Sequence, residues 1–348
     1  MTSKKMLPYK IITCASYGAS GSGIVTNYLE EFDNIYNPGD MEFRFLQDFG
    51  GVTTLEDCLV HSHHRLNSDV AIRLFYKFVK HQAGDVFNKR YNKVFKGEFL
   101  KISEDFINSL VIGKWDGHWE EDQILAPKIV DIIYYKIWTR FKRLLDLNRH
   151  YIGKYYPTRD MYFANPTEEE FLILVKKYLN NLFRVIDPKH KFDFLYFDQI
   201  LPPDNLKRYF RYFDDIKVVV VDRDPRDYYL ENVMRWGEKY LPHDIDTFIK
   251  VYKGLRRKLH EEEDSKNVLR VRMEDTIYNY ESFSKKIDEF IGLNPIHHTR
   301  PISKFNPAIS INNTQLWKKR DVDMDIIHKI EDELSVFCYD FDRYKIEI

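Results

Sequence analysis

Residues 9–32 read Tyr9-Lys-Ile-Ile-Thr-Cys-Ala-Ser-Tyr-Gly-Ala-Ser-Gly-Ser-Gly-Ile-Val-Thr-Asn-Tyr-Leu-Glu-Glu-Phe32. The apolar run Ile11 to Ala15 predicts a strand, a turn of glycine and serine follows, and then a helical period sets in. Gly18, Gly21 and Gly23 let the backbone turn tightly and come close to a ligand. The amides of the turn and the positive end of the new helix then face whatever sits there, an environment suited to a phosphate or a sulfate ester. A purely structural glycine turn is the alternative. Gly18 and Gly23 have the spacing of the NTPase phosphate loop, but Ile24 and Val25 stand where that loop carries Lys and then Ser or Thr. The lysine for the outer phosphates and the hydroxyl for Mg²⁺ are both missing, which argues against an ordinary ATP or GTP hydrolase.

Outward from this unit, Phe192 to Phe197, Ile216 to Val221 and Val268 to Val271 read as further strands. Ile216 to Val221 is short, β-branched and almost continuously apolar, as expected of a strand buried in a parallel sheet. Each run is followed by a polar loop and a helical pattern, which predicts an α/β fold: a P-loop-type parallel β-sheet flanked by helices. Ligands of such sheets collect at the carboxyl ends of the strands. The glycine loop and Asp222-Arg-Asp-Pro-Arg-Asp227 both lie just past strand ends, so they are expected to meet.

Between Thr53 and Asp187 the pattern turns helical and runs too long for a simple crossover. The expectation is one domain, residues 1–348, in which 53–187 is a large helical insertion covering the top edge of the sheet and lining the acceptor side of the cleft. Inside it, Thr167 and Glu170 have capping-box spacing. Asp131 to Leu147 carries Ile133, Ile137, Phe141, Leu144 and Leu145 at helical intervals. Helices are also expected over Asp244 to Glu262, Tyr280 to Ile291 and Asp323 to Val336.

The 348 residues hold 53 basic and 54 acidic side chains, so no global field calls for nucleic acid or an anionic membrane, and any anion site must be local. The 24 Tyr and 25 Phe are expected mainly in the core, with some lining a sugar-binding cleft. Cys14, Cys58 and Cys338 are scattered, odd in number and without metal-ligand spacing, which reads as reduced and structural. No apolar run approaches the length of a membrane span and no signal-peptide core opens the chain, so the expectation is a soluble, cytoplasmic protein.

Arg223 and Arg226 follow directly on the Ile216 strand. A guanidinium is a planar fork that pairs bidentately with phosphate oxygens, and a strand end fixes its position. In the alternative reading Asp222, Asp224 and Asp227 pair with these arginines in a surface turn. Four segments, in order, resemble the sulfotransferase superfamily, which uses 3′-phosphoadenosine-5′-phosphosulfate (PAPS). Tyr17-Gly-Ala-Ser-Gly-Ser-Gly23 is similar to the family's 5′-phosphosulfate loop, and Val221-Asp-Arg-Asp-Pro-Arg-Asp-Tyr-Tyr-Leu230 to its 3′-phosphate segment. Val268-Leu-Arg-Val-Arg-Met-Glu-Asp275 with Phe290-Ile-Gly-Leu293 resembles its late strand and helix. Ser303-Lys-Phe-Asn-Pro307 through Leu316-Trp-Lys-Lys319 resembles its closing loop. The set spans nearly the whole chain, although the helical insertion has no counterpart.

The resemblance implies that Gly18, Ala19, Ser20, Gly21, Ser22 and Gly23 cradle the 5′-phosphosulfate. It assigns Arg223, with Arg226 beside it, to the 3′-phosphate, and Lys318 or Lys319 to the closing loop. Trp317 either packs against the nucleotide or is a core residue. Two positions depart from the family: Ala19 replaces a Lys or Arg, and Glu231 replaces a Ser.

Asn37-Pro-Gly-Asp-Met-Glu-Phe-Arg-Phe45 lies where a second strand should end, and the resemblance to glycan sulfotransferases places a base carboxylate there. Glu42 is thus the expected general base. Arg44, on the same side of an extended chain, would hold an acidic acceptor or replace the missing cation; a Glu42–Arg44 ion pair is the alternative. His61, His63 and His64 form a dense cluster, and His63 is the second candidate base, since imidazole titrates near about 6.5. Asp198 and Gln199 would bond an acceptor sugar and Trp115 would stack on it, with Asp116, His118 and Trp119 nearby; core packing explains the tryptophan cluster equally well. No metal is expected, because no Cys or His sits at ligand spacing. The leading expectation is sulfuryl transfer from PAPS to a hydroxyl of a carbohydrate or glycan. The alternatives are a P-loop phosphotransferase and a non-catalytic nucleotide-binding protein, the latter favoured by Ala19 and Glu231.

Overall fold

The structure is a computed structural model that describes residues 8–119, 129, 131–145, 158–236, 240–258 and 264–344. The chain forms two compact units, Met1–Gln47 with Leu179–Ile348, and Asp48–Tyr178.

The first unit is an α/β fold built on five parallel strands: β1 (Ile11–Ser16), β2 (Ile35–Tyr36), β5 (Phe194–Tyr196), β6 (Ile216–Asp222) and β7 (Val268–Arg272). Their order across the sheet is β2-β5-β1-β6-β7. β1 is central, with Ile11 opposite both Leu195 and Ile216, and Ser16 opposite Val221. From β1 the chain leaves toward β2 on one side, whereas β6 leads to β7 on the other. The direction of travel therefore reverses between β1 and β6, and a crevice opens at their carboxyl ends. The predicted Phe192 strand is shorter, Phe194–Tyr196, although the Phe197 amide still donates to the Ile12 carbonyl of β1 at 3.0 Å.

Alternation along the strands divides the core. Ile12, Cys14, Val219, Val221, Leu269 and Val271 pack against the helix Ser22–Glu30, which contributes Ile24, Val25, Tyr28 and Leu29. Val25 and Thr26 are weak helix formers, so this helix depends on its buried face more than on propensity. The helices Pro225–Trp236, Ile245–Leu255 and Met324–Leu334 join in a second core of Tyr228, Phe248, Tyr252, Trp317, Ile327 and Ile330. Tyr280–Ile291 forms a helix with the expected bounds. The predicted Asp244 helix stops at Leu255, and its expected end at 259–262 lies outside the described residues. The three cysteines are free thiols, with Cys14 buried.

The second unit is not helical throughout. β3 (Gly113–Gly117) and β4 (Arg159–Phe163) pair as an antiparallel ribbon, with Trp115 opposite Met161. The helices Arg65–Ala83 and Phe99–Leu110 precede it in sequence, and a π-helical turn spans Asp57–His61. The capping box forms as read: the Thr167 amide donates to Glu170 Oε2 at 2.9 Å and the Glu170 amide to Thr167 Oγ1 at 3.2 Å. The expected helix beginning at Asp131 winds as a π-helix to Trp138 and as an α-helix over Thr139–Leu145; residues 146 and 147 lie outside the described residues. Its apolar residues Ile133, Ile137, Phe141, Leu144 and Leu145 are all exposed.

Candidate functional site

The loop joining β1 to the helix Ser22–Glu30 bends through left-handed backbone: Gly18 has φ 79°, Ala19 51° and Gly21 105°. At Gly18 and Gly23 a Cβ would meet nothing within 4 Å, so the outer wall of the turn is open. Gly21 differs, because a Cβ there would lie 3.0 Å from Met273 Sδ. Gly21 is the N-cap and offers no side-chain cap, so the first-turn amides lack the partner that Ser, Asp or Asn would supply. The loop is tied down from behind. Ser20 is fully buried, its Oγ donates to the Val221 carbonyl at 3.0 Å and accepts from the Tyr17 amide at 3.1 Å. The Ser20 side chain is thus a fastening to β6, and only its backbone remains for a ligand. An open cradle of glycine amides at a helix N-terminus fits a phosphate or sulfate ester.

Arg223 reaches this loop from the end of β6. Its Nη1 donates to the Ala19 carbonyl at 3.4 Å and its Nη2 to the Asn313 carbonyl at 2.5 Å, while the buried Nε has no partner. One guanidinium therefore touches both the glycine loop and the C-terminal loop. It also sets positive charge behind Ala19, the position where the sequence lacks a cation.

The rest of the Asp222–Asp227 segment turns inward. Asp224 caps the helix Pro225–Trp236, accepting the Arg226 amide at 2.9 Å, and Pro225 takes the first helical position, where no amide hydrogen is needed. Arg226 Nε and Nη2 grip Asp224 at 2.9 and 2.6 Å, and Nη1 reaches Glu331 at 2.7 Å. Its guanidinium lies 4.1 Å from the ring centroid of Trp317. Arg226 and Trp317, both expected at the nucleotide, are 8 % exposed and form a buried clamp; the pairing alternative describes Arg226, and the core alternative describes Trp317. Asp222 binds Arg256 through two hydrogen bonds of 2.9 and 2.6 Å. Arg256 is stacked on Tyr252, Tyr17 and Tyr228, at 3.6, 4.2 and 5.2 Å. Glu231 is buried and paired with Arg235 at 2.8 Å, which neutralises the carboxylate that would repel a phosphate.

Asp227 holds the C-terminal loop, accepting the Gln315 and Leu316 amides at 2.9 and 2.7 Å. Burial pushes its carboxyl up to about 6, against the opposing pull of Arg223. Lys319 donates to the Ile311 and Thr314 carbonyls, both at 2.7 Å, and so braces this loop; its neighbour Lys318 is exposed.

Glu42 and Asp198 form a parallel β-bridge, and the Phe43 amide donates to the Asp198 carbonyl at 2.8 Å. Glu42 is exposed and Asp198 buried. Asp198 Oδ2 accepts from Ser22 Oγ at 3.4 Å and Oδ1 from the Tyr196 hydroxyl at 3.3 Å, so this carboxyl adjoins the first turn of the loop's helix. Burial, with the Glu42 charge in second place, raises Asp198 to about 7. Arg44 is half-buried two residues further on. Gln199, expected at the acceptor, instead locks the end of β1: its Nε2 donates to Ser16 Oγ at 2.6 Å and its Oε1 accepts the Ser16 amide at 3.3 Å. Among the described residues seven non-glycines have positive φ, and three of them, Ala19, Gln199 and Gln315, sit on the loops just described. Strain of this kind persists where surrounding contacts hold it, and it gathers at functional sites.

The remaining candidates belong to the second unit. His63 is exposed, with Nε2 3.2 Å from the Ala164 carbonyl, and Trp115 is exposed on β3. Glu56, His61 and Glu168 each bring one ligand atom within 4.8 Å of the others, a trio that sequence spacing did not reveal because Glu168 is distant along the chain.

Spacing also missed Arg256, Arg272 and Glu274. Glu274 is fully buried, accepts the Asp224 amide at 2.7 Å and is raised to about 7 by burial, against the pull of Arg272. The signal available for Glu274 was its place just past the Val268 strand; nothing in the sequence marks Arg256.

No family model matches the sequence, and no curated protein matches it. Among solved structures, the chain is similar to the sulfotransferase domain from the Synechococcus PCC 7002 olefin synthase, at 16% identity over 98% of both chains with a TM-score of 0.42. It is similar to the sulfotransferase domain from the curacin biosynthetic pathway at 13% identity, over 94% of this chain and 98% of that one, with a TM-score of 0.42. Sulfotransferase STF1 from Mycobacterium tuberculosis H37Rv aligns at 10% identity, over 89% of this chain and 77% of that one, with a TM-score of 0.35.

Proposed function

We propose that this protein transfers a sulfuryl group from PAPS to a hydroxyl of a carbohydrate acceptor. The observation that carries the reading is the meeting of the open glycine loop with Arg223 at the crevice between β1 and β6. The sequence resemblance supports PAPS as the donor, which would supply the sulfuryl group and an adenosine bisphosphate leaving group. The amides around Gly21, Ser22 and Gly23 would hold the 5′ end, Arg223 the phosphate charge, and Lys318 would add a cation from the closing loop. Glu42, exposed on the bridge to Asp198, takes the proton of the acceptor hydroxyl. Asp198 lies beside it; raised to about 7 by burial, it is mostly protonated below pH 7 and there adds little negative charge beside the donor site. Arg44 orients an acidic acceptor.

Calorimetric titration with adenosine 3′,5′-bisphosphate, ATP, and ATP with Mg²⁺ tests this directly. The expected result is bisphosphate binding without metal, weakened at least about tenfold by Arg223→Ala, since charge-assisted hydrogen bonds are lost. ATP binding that requires Mg²⁺ would favour phosphoryl transfer, and no nucleotide binding at all would sink the proposal.

A further inference from the structure

The segment 131–145 is folded inside out. Following its π winding through Trp138 and its α winding beyond, Ile133, Ile137, Trp138, Phe141, Leu144 and Leu145 share one side. All six are exposed, from 46% at Trp138 to 70% at Leu144. Lys136 and Arg140 border one edge of this apolar side, Lys142 borders the other, and Arg143 lies behind; each is exposed. Among the side chains described here Thr139 alone is buried, and it lies on the cationic side. An ordinary surface helix buries its apolar stripe and shows its charges. This one does the reverse.

We infer that this helix docks on an anionic lipid surface, with its apolar side in the headgroup–acyl boundary and Lys136, Arg140 and Lys142 at headgroup level. Charge selects the occupant. The whole chain carries a formal charge of -1, whereas 131–145 has four cations, Lys136, Arg140, Lys142 and Arg143, against the single acid Asp131. A second copy would bring the same cations face to face, whereas an anionic surface meets them with opposite charge. Trp138, with Lys142 Nζ 5.4 Å from its ring centroid, has the amphipathic character of interfacial anchors. No described helix is long and apolar enough to cross a membrane, and an interfacial helix needs no such length.

Vesicle flotation tests this without reference to the transfer reaction. The full chain is expected to float with vesicles containing phosphatidylglycerol and to stay in solution with phosphatidylcholine alone. Reversing Lys136, Arg140 and Lys142 to Glu together should weaken partition on the order of a hundredfold, given the contribution of each cation near a charged surface. Phe141→Asp with Leu144→Asp should abolish it, with unchanged circular dichroism showing that the fold survives. Trp138→Phe should retain binding and lose the part of the tryptophan quenching caused by brominated lipid. Equal flotation with neutral and anionic vesicles, or no flotation with either, overturns the inference. So does self-association, seen by light scattering, that Phe141→Asp disrupts while vesicle binding is absent.

Discussion

The loops after β1 and after β6 occupy equivalent places in one sheet, yet they are built in opposite ways. The first is nearly free of side chains: its glycines open outward, and Ser20 is its single buried fastening to β6. The second carries a charge at five of six positions, and nearly all of them face the interior, on Arg256, Glu331 or the amides of the C-terminal loop. Only Arg223 crosses from one to the other. Sequence composition would suggest that the charged loop is the anion site. The structure shows a loop of backbone amides held in place by a loop of mutually satisfied charges.

The largest effect that would break this contrast is Arg226→Ala. If Arg226 is a clamp, its loss strands Asp224 beside Glu274 in the core and costs about 3–5 kcal/mol of stability by denaturant unfolding. A loss of nucleotide affinity with unchanged stability would instead return Arg226 to the site. Gly21→Ala comes next, at about 1–3 kcal/mol, because it combines positive φ with a contact on Met273. Gly18→Ala should be milder in packing, having open space around it, so a reversed order would show that the loop is not open as described.

Asp198 sharpens the comparison through pH. Its carboxyl titrates at about 7 in the fold against 3.8 for an ordinary aspartate, so between these values the unfolded chain gives up a proton that the folded chain retains. Stability is therefore expected to fall as pH rises from about 4 to 7, and Asp198→Asn should reduce that slope by its share, with Asp227 and Glu274 supplying the rest. Thermal unfolding followed across this range would read it, and an unchanged slope in the variant would remove Asp198 as its source. Ala19→Gly is the smallest, a gain of about 0.5–1 kcal/mol from relieving left-handed backbone at a residue with a Cβ.

Much of this was legible. β1, β6 and β7 stand within one residue of their expected ends, since buried parallel strands announce themselves as continuous β-branched runs. Glu42 and Asp198 were each singled out, but as base and sugar ligand; their bridge was invisible because parallel neighbours lie far apart in sequence. The β3–β4 ribbon was missed for a different reason. Gly113-Lys-Trp-Asp-Gly117 is too short and polar to show strand periodicity, and its partner lies beyond a long intervening stretch.

Local chemistry in the chain determined the glycine turn, the Asp224-Pro225 helix start, the capping box at Thr167 and the parallel strands, because each is set by backbone preferences acting over a few residues. Which arginine spans the glycine loop and the C-terminal loop, and which is clamped between carboxylates, was decided only in three dimensions. Arg223 and Arg226 are the same residue type three positions apart, and only the arrival of Glu331, Trp317 and Asn313 from the far end of the chain separates their roles.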